Sequence, residues 1–103
     1  NNSNPSAPGQ LDKHYATGKT THLVNKPYEL LQFNQDNVFT IGYGEGLFDY
    51  NLSPTQNLDE IAQQLFMALR VADTSRQQEV AISKVPDIGI GRAINDRMVR
   101  AAG

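Results

Sequence analysis

The sequence predicts an α/β fold in which helices cover a mainly parallel sheet. Short β-branched runs alternate with segments whose apolar residues recur every three or four positions, as they do on one face of a helix. Neighbouring parallel strands need crossover connections of the kind that such helices supply. The chain has 103 residues, enough to bury a core without disulfides or metals. These elements are therefore expected to form one layered domain.

The first half of the chain contains three predicted strands, at residues 20–24, 38–41 and 47–52. The first two are rich in β-branched side chains, and the third alternates aromatic with polar residues. Between the first two strands, residues 28–33 are predicted as one or two helical turns, with Pro27 at the first helical position. Gly42, Gly44 and Gly46 follow the second strand. No Lys-Ser or Lys-Thr pair comes after them and Glu45 would repel phosphate, which favours a turn over a phosphate-binding loop.

A long amphipathic helix is predicted over residues 58–72. Its apolar stripe comprises Leu58, Ile61, Ala62, Leu65, Phe66, Leu69 and Ala72. Asn57 and Glu60 have the spacing of a capping box, in which the Asn57 side chain accepts from a free backbone N–H and Glu60 reaches back. Phe66 stands at the centre of the stripe and is expected to be buried, so that Phe66→Ala would cost roughly 3–5 kcal/mol. Arg70 and Asp73 are interpreted as structural or interdomain contacts rather than catalysts.

The last predicted strand, residues 80–85, leads through Pro86 into a second helix. The apolar positions of that helix are Ile90, Ala93, Ile94, Met98 and Ala101, and Gly103 is placed to end it. Gly89 and Gly91 open the helix, where backbone N–H groups and the helix dipole can hold a phosphate. A dinucleotide-binding fingerprint requires a third Gly or Ala at position 94, which is Ile94 in this chain. A tight turn with close packing is therefore the favoured interpretation, with phosphate binding as its alternative.

Composition excludes several classes of function. There is no cysteine, so a disulfide framework, a thiolate metal site and a cysteine nucleophile are all ruled out. A formal charge of −2 gives no basis for binding nucleic acid. No apolar run approaches the ~20 residues of a membrane span, so a cytoplasmic protein that binds no membrane is expected.

The charged and histidine side chains support neither a metal nor an anion site. His14 and His22 are eight residues apart without a matching carboxylate cluster, so no metal is predicted. Arg92, Arg97 and Arg100 share one side of the last helix with Asp96 among them. This pattern is typical of a solvated face with intrahelical ion pairs.

The first residues have the composition of a linker. Residues 1–9 are polar and rich in turn-forming Asn, Ser, Pro and Gly, and residue 1 is not methionine. The chain is therefore expected to be a fragment that begins inside a linker.

Three segments resemble one known family. Pro8, Gly9, Lys13, His14, Tyr15 and Ala16 match a linker pattern of Ser-Pro-Gly-Met, then basic-His-Tyr-Ala-Pro, with departures at Ala7, Gln10 and Thr17. Residues 65–73 resemble a Leu-Phe-Ala-Ala-Leu-Arg-x-x-Asp helix. Residues 89–102 resemble a Gly-Leu-Gly-x-Ala-Ile-x-Asp-Arg-x-x-Arg-Ala-Ala ending. Together they resemble the linker and C-terminal domain of long-form threonylcarbamoyl-AMP synthases of the YrdC/Sua family.

The resemblance implies a Rossmann-like, three-layer domain at residues 20–103 preceded by an interdomain linker at residues 1–19. In the family, a YrdC-type catalytic domain condenses L-threonine, bicarbonate and ATP into threonylcarbamoyl-AMP and pyrophosphate for tRNA modification. The C-terminal domain is accessory, and its linker closes the catalytic pocket. By matching position, the closing residues here are Pro8, Gly9, His14 and Tyr15. ATP and Mg belong to the full-length enzyme, while this fragment is expected to hold no cofactor and to be inactive alone.

The resemblance also implies partners, namely the YrdC-type domain of the same chain and that domain's substrates. Residues 1–19 are expected to become ordered only against that domain. Two alternatives remain open. One is a nucleotide-binding module with phosphate at Gly89 and Gly91, and the other is a protein-interaction module.

Overall fold

The structure, a computed structural model, describes residues 17–103. Its elements are β1 (Thr20–Val24), a 3₁₀ helix (Pro27–Gln32), β2 (Val38–Gly42), β3 (Tyr50–Asn51), α1 (Leu58–Thr74), β4 (Glu79–Ser83) and α2 (Gly91–Ala102). Every predicted element is present. The third strand is shorter than predicted: it covers two residues rather than six. The last strand also ends early, at Ser83 rather than at Val85.

The four strands form one parallel sheet in the order β1-β4-β2-β3. The last strand of the chain inserts between the first two, so that Leu23 pairs with Ile82 and Ile82 pairs with Ile41. The β3 strand joins the far edge, with Tyr50 opposite Ile41. The predicted α/β class with a parallel sheet is confirmed. All four strands consequently point their carboxyl ends at the same edge of the sheet.

Alternate residues of β4 supply two hydrophobic clusters, one on each face of the sheet. Val80 and Ile82 join the larger cluster, which contains residues of α1 and α2, including Leu65 and Met98. Ala81 joins the smaller cluster. That cluster contains Val24, Leu30 and Val38, with Phe33 and Phe48 packed against it. The result is a three-layer arrangement whose third layer is the 3₁₀ helix and its neighbouring loops.

The expectation that Phe66 is buried is wrong. The residues of α1 that are buried are Ile61, Leu65, Ala68, Leu69 and Ala72, while Phe66 is 42% exposed. Phe66 is one residue, or about 100°, round the helix from Leu65, which faces the sheet and is 2% exposed. The Arg70 guanidinium lies 5.5 Å from the centre of the Phe66 ring. Phe66 thus lies at the margin of the stripe with a cation over its face.

The start of α1 confirms half of the predicted capping box. The Asn57 side chain accepts the Glu60 backbone N–H at 2.9 Å. The Glu60 carboxylate does not return to the Asn57 N–H as expected, because Ser53 stands between them. Ser53 Oγ donates to Glu60 Oε1 at 2.6 Å and accepts from the Asn57 N–H at 2.9 Å. A fully buried hydroxyl therefore completes the cap and ties the loop before α1 to the helix.

The last helix buries a narrower stripe than its apolar residues indicate. Ile94, Met98 and Ala101 are buried, but Ala93 is exposed and Ile90 is 44% exposed. Ile90 is the residue before the helix begins, so its side chain precedes the face that packs on the sheet. The predicted end is confirmed, because Gly103 has a φ of 128° and donates its N–H to the Val99 carbonyl at 3.2 Å.

Candidate functional site

The loops that follow the four strands surround an open cleft at the carboxyl edge of the sheet. Its volume is about 500 Å³. The lining residues are Lys26, Pro27, Tyr28, Tyr43, Gly44, Glu45, Pro54, Thr55, Gln56 and Pro86. Open parallel sheets of α/β proteins bind their ligands at this edge. The cleft is therefore a candidate ligand site, and the sequence motifs do not predict it.

One wall of the cleft is held by hydrogen bonds between the loops after β2 and β3. Asn51 Nδ2 donates to the Gly44 carbonyl at 2.8 Å, and the Gly44 N–H donates to the Ser53 carbonyl at 2.8 Å. Gly44 has a φ of 80°, which confirms the predicted turn. Gln56 has a φ of 64°, a conformation that L side chains adopt rarely. The loops are thus fixed against each other before any ligand arrives.

Tyr43 lies beneath the cleft and joins β2 to the end of β4. Its hydroxyl donates to the Lys84 carbonyl at 2.9 Å, and the residue is 6% exposed. Burial raises the pKa of Tyr43 above its ordinary value of 10.0, and a hydrogen bond with the Ser83 side chain opposes that rise. The neutral phenol is therefore the form that the folded state favours.

The raised pKa of Tyr43 predicts a loss of stability in alkali. The unfolded tyrosine ionises at a lower pH than the folded one, so this contribution is fully present below pH 10 and is lost as pH rises through the folded pKa. Tyr43→Phe is expected to cost about 1 kcal/mol at neutral pH, through its lost hydrogen bond. It should also flatten the alkaline decline. Urea unfolding between neutral pH and pH 11 checks this, and an equal decline in Tyr43→Phe would contradict it.

The loop between β4 and α2 is closed by Asn95. Its side-chain amide accepts from the Val85 N–H and donates to the Val85 carbonyl, both at 2.8 Å. Gly91 lies so close to this loop that a Cβ atom there would be 2.1 Å from the Pro86 carbonyl oxygen. The Gly91 N–H donates to the Ile88 carbonyl at 2.8 Å, and Gly89 has a φ of 54°. This geometry favours the tight-turn interpretation, while phosphate binding at Gly89 and Gly91 stays a prediction.

A second feature, the linker anchor, lies at the opposite edge of the sheet, where residues 17–19 meet the end of α1. The Gly18 N–H donates to Asp73 Oδ1 at 2.7 Å. Lys19 Nζ donates to the carbonyls of Ala72 and Ser75 at 2.8 Å each, and to Ser75 Oγ at 3.2 Å. The last turn of α1 contains no basic residue, so Lys19 supplies from outside the cation that a helix C-terminus favours. We define the linker anchor as Gly18, Lys19, Ala72, Asp73 and Ser75.

Two of the other side chains that the sequence singles out, Arg100 and His22, lie beside a carboxylate. Arg100 Nη2 lies 3.0 Å from Asp96 Oδ2, which confirms the intrahelical pairing. His22 Nε2 lies 2.7 Å from Glu79 Oε1, and its ring stacks on Phe33 with the centroids 5.2 Å apart. Within residues 17–103 there is no group of three or more side chains that could hold a metal ion. No helix of that range is long and apolar enough to cross a membrane.

The predicted linker residues Pro8, Gly9, His14 and Tyr15 lie outside the described residues. Residues 17–19 also belong to the predicted linker, and the structure places these three in contact with the domain. The sequence pattern does not single out Lys19, Ser53 or Asn95. The side chain of each forms hydrogen bonds with groups that the fold places next to it. For Lys19 a weak signal existed, since α1 is a long helix without a basic residue at its end.

Comparison with known families decides what the chain is related to. A family model described as threonylcarbamoyl-AMP synthase, C-terminal domain, matches residues 1–103. The chain belongs to this family of threonylcarbamoyl-AMP synthase C-terminal domains. The match covers the predicted linker residues as well as the α/β domain, which confirms the resemblance that three separate segments indicated. No curated protein matches the chain significantly.

Proposed function

We propose that this chain is the accessory part of a threonylcarbamoyl-AMP synthase, and that its domain fixes the point from which the linker reaches the catalytic pocket. The observation that supports this most directly is the linker anchor. Four hydrogen bonds of 2.7–3.2 Å hold Gly18 and Lys19 to the end of α1. Tyr15 and His14 precede these two residues in the sequence.

The anchor would lower the conformational-entropy cost of closing the linker over the catalytic pocket. Tyr15 precedes Gly18 by three residues, so its backbone stays within about 11 Å of the anchor even when the chain is extended. A segment held at one end has less conformational entropy to lose when its other end becomes ordered. In this proposal Pro8, Gly9, His14 and Tyr15 close over the YrdC-type domain, which binds ATP with Mg, L-threonine and bicarbonate. Closure would shield the labile carbamoyl adenylate from water.

The polar groups of the described domain support an accessory role rather than catalysis. Ser53 and Glu60 have the short 2.6 Å contact of a nucleophile with its base, but Ser53 is fully buried and also accepts from the Asn57 N–H. The side-chain amide of Asn95 both accepts from the Val85 N–H and donates to the Val85 carbonyl. These groups are occupied in holding loops together. In this proposal the domain acts on the catalytic domain only through the linker that it holds.

A full-length synthase carrying Lys19→Met tests the proposal. The substitution removes the three hydrogen bonds of Lys19 Nζ and leaves the one between the Gly18 N–H and Asp73, so the start of the linker is held less firmly. We expect threonylcarbamoyl-AMP formation to fall about tenfold, as for a misplaced positioning group. The measurement is pyrophosphate release with ATP, L-threonine and bicarbonate, made well below the melting temperature of every variant.

The matched control is Arg76→Met, which removes the same charge one residue beyond the anchor. Arg76 bonds to the Asp36 carbonyl instead of to the linker, so its loss should leave synthesis near the wild-type rate. Equal rates for Lys19→Met and the wild type would overturn the proposal. Equal losses in the two variants would do so as well.

A further inference from the structure

The parallel sheet has one long edge along β1. This strand is outermost, and its five residues pair with β4 on the inner side in an unbroken register. The Val24 carbonyl accepts the Lys84 N–H at 2.9 Å, so Val24 directs its peptide groups towards β4. Because backbone groups alternate along a strand, Thr21 and Leu23 direct theirs outward. Within residues 17–103 no other group bonds to the N–H or carbonyl of these two residues.

The fold blocks pairing at its other edge but not at β1. At the far edge β3 covers only Tyr50–Asn51, and the Asp49 side chain accepts the Thr40 N–H where a strand backbone would lie. Natural sheets prevent unwanted pairing with such short strands, or with Pro, Lys and bulges. Residues 20–24 contain none of these and are rich in β-branched side chains. The chain before β1 turns to the end of α1 at the linker anchor. The β1 edge can therefore accept an additional strand.

A cation lies beside this edge. The α2 helix packs against β1. The Asn95 side chain bonds to the Val85 backbone just beyond β4, so that flank of α2 faces the inner strand. Arg97 follows by two residues, about 200° round the helix, and so lies on the flank that faces the outer edge. It is half-buried and forms no ion pair within residues 17–103. An acidic side chain on an added strand would meet this guanidinium.

Charge also distinguishes between the possible occupants of the edge. A second copy of the chain would pair β1 with itself and bring two Arg97 flanks together, which like charges disfavour. The chain's own residues 1–16 carry one acidic residue, Asp12, which Lys13 follows directly, so they supply no net negative charge. A separate protein with an acidic extended segment has the complementary charge.

We propose that the β1 edge binds an extended, acidic segment of a separate protein as a fifth strand. The backbone groups of Thr21 and Leu23 would pair with the segment, and Arg97 would select its charge. This inference goes beyond the proposed function, because holding the linker requires the end of α1 and not the outer edge of β1.

The test is an NMR titration of the ¹⁵N-labelled 103-residue chain with the acetylated and amidated peptide Val-Glu-Val-Glu-Val. Its alternation lets one register place both glutamates on the face of α2 and the valines on the face of Val24. We expect saturable shifts of the Thr21 and Leu23 amides. Val-Lys-Val-Lys-Val should bind about threefold more weakly. Methylation of the two glutamate nitrogens should weaken binding about tenfold, because it removes the pairing donors.

Arg97→Met tests the selection of charge. It should weaken binding of the glutamate peptide about threefold and abolish the preference over the lysine peptide. The matched control is Arg92→Met, which removes the same charge from α2. The Arg92 guanidinium bonds to the Asp87 carbonyl instead, so this variant should keep both the affinity and the preference.

Several outcomes would overturn the proposal. One is no saturable shift of the Thr21 and Leu23 amides up to the solubility of the glutamate peptide. Equal binding of the N-methylated peptide would show that no strand is added, and equal binding of the lysine peptide would refute an acidic partner. A dimer that forms without peptide through the same amides would assign the edge to a second copy. If Arg97→Met fails to fold, the two peptides still decide on the wild-type chain. The Lys19→Met experiment is independent of all these results.

Discussion

Leu65→Ala is expected to lower the free energy of unfolding by about 2–5 kcal/mol, because Leu65 is 2% exposed in the main core. The neighbouring Phe66→Ala is expected to cost about 1 kcal/mol, the value of a half-exposed ring that contacts the Arg70 guanidinium. A domain of this size has about 5–15 kcal/mol in total, so the first variant loses a large fraction of it.

Urea unfolding of the two variants side by side measures this difference. Side-chain volume alone would rank the two substitutions the other way, since phenylalanine loses more atoms than leucine. A Phe66→Ala cost equal to or larger than that of Leu65→Ala would contradict the described orientation of α1.

Gly91→Ala is the second substitution with a large expected effect. The added Cβ would lie 2.1 Å from the Pro86 carbonyl oxygen, which is backbone and has no flexible end to move away. The loop would have to shift, and with it the two hydrogen bonds between Asn95 and Val85. We expect a cost of about 3 kcal/mol.

Gly89→Ala is the matched control for this variant. Gly89 has a φ of 54° but nothing within 4 Å of an added Cβ, so the cost should be about 1–2 kcal/mol of backbone strain. The melting temperatures of the two variants report the difference. Equal melting temperatures for Gly91→Ala and the wild type would show that the loop before α2 is not closely packed.

Apolar periodicity and helix caps predicted the elements, such as α1, that form through interactions between residues close in the sequence. The predicted α1 helix is present because a 15-residue pattern of apolar residues with an Asn57 cap leaves little choice of structure. The same pattern could not say that Phe66 faces outward. Two adjacent apolar residues satisfy the periodicity equally, and the position of the sheet decides which of them is covered.

The short third strand has a cause that is remote in sequence. Asp49 Oδ2 accepts the Thr40 N–H at 3.0 Å, and the Asp49 N–H donates to Thr40 Oγ1 at 3.1 Å. Gln77 Nε2 also donates to Asp49 Oδ2, at 3.3 Å. A side chain thus takes the place of the strand backbone beside Thr40, and regular pairing begins at Tyr50. Alternation of aromatic and polar residues carries no information about that exchange.

The candidate sites were harder to predict than the fold, because they also depend on contacts between residues that are distant in the sequence. Lys19 bonds to carbonyls 53 and 56 residues further along the chain. Lys26 and Glu45 share a cleft because β4 inserts between their strands. Neither the hydrogen bonds of Lys19 nor the shared cleft can be predicted from spacing along the sequence. The family resemblance predicts a linker at residues 1–19, whose residues Pro8, Gly9, His14 and Tyr15 carry the proposed closure.

The most direct test of the account is Tyr15→Ala, measured both in the full-length synthase and in the 103-residue chain. We expect the full-length variant to make less threonylcarbamoyl-AMP, or to lose more of it to hydrolysis, while the unfolding free energy of the 103-residue chain is unchanged. Leu47→Ala, at an 88% exposed side chain, is the control that should change neither quantity. If Tyr15→Ala destabilises the 103-residue chain by more than about 1 kcal/mol and leaves synthesis intact, Tyr15 packs on its own domain and the proposed closure of the catalytic pocket is wrong.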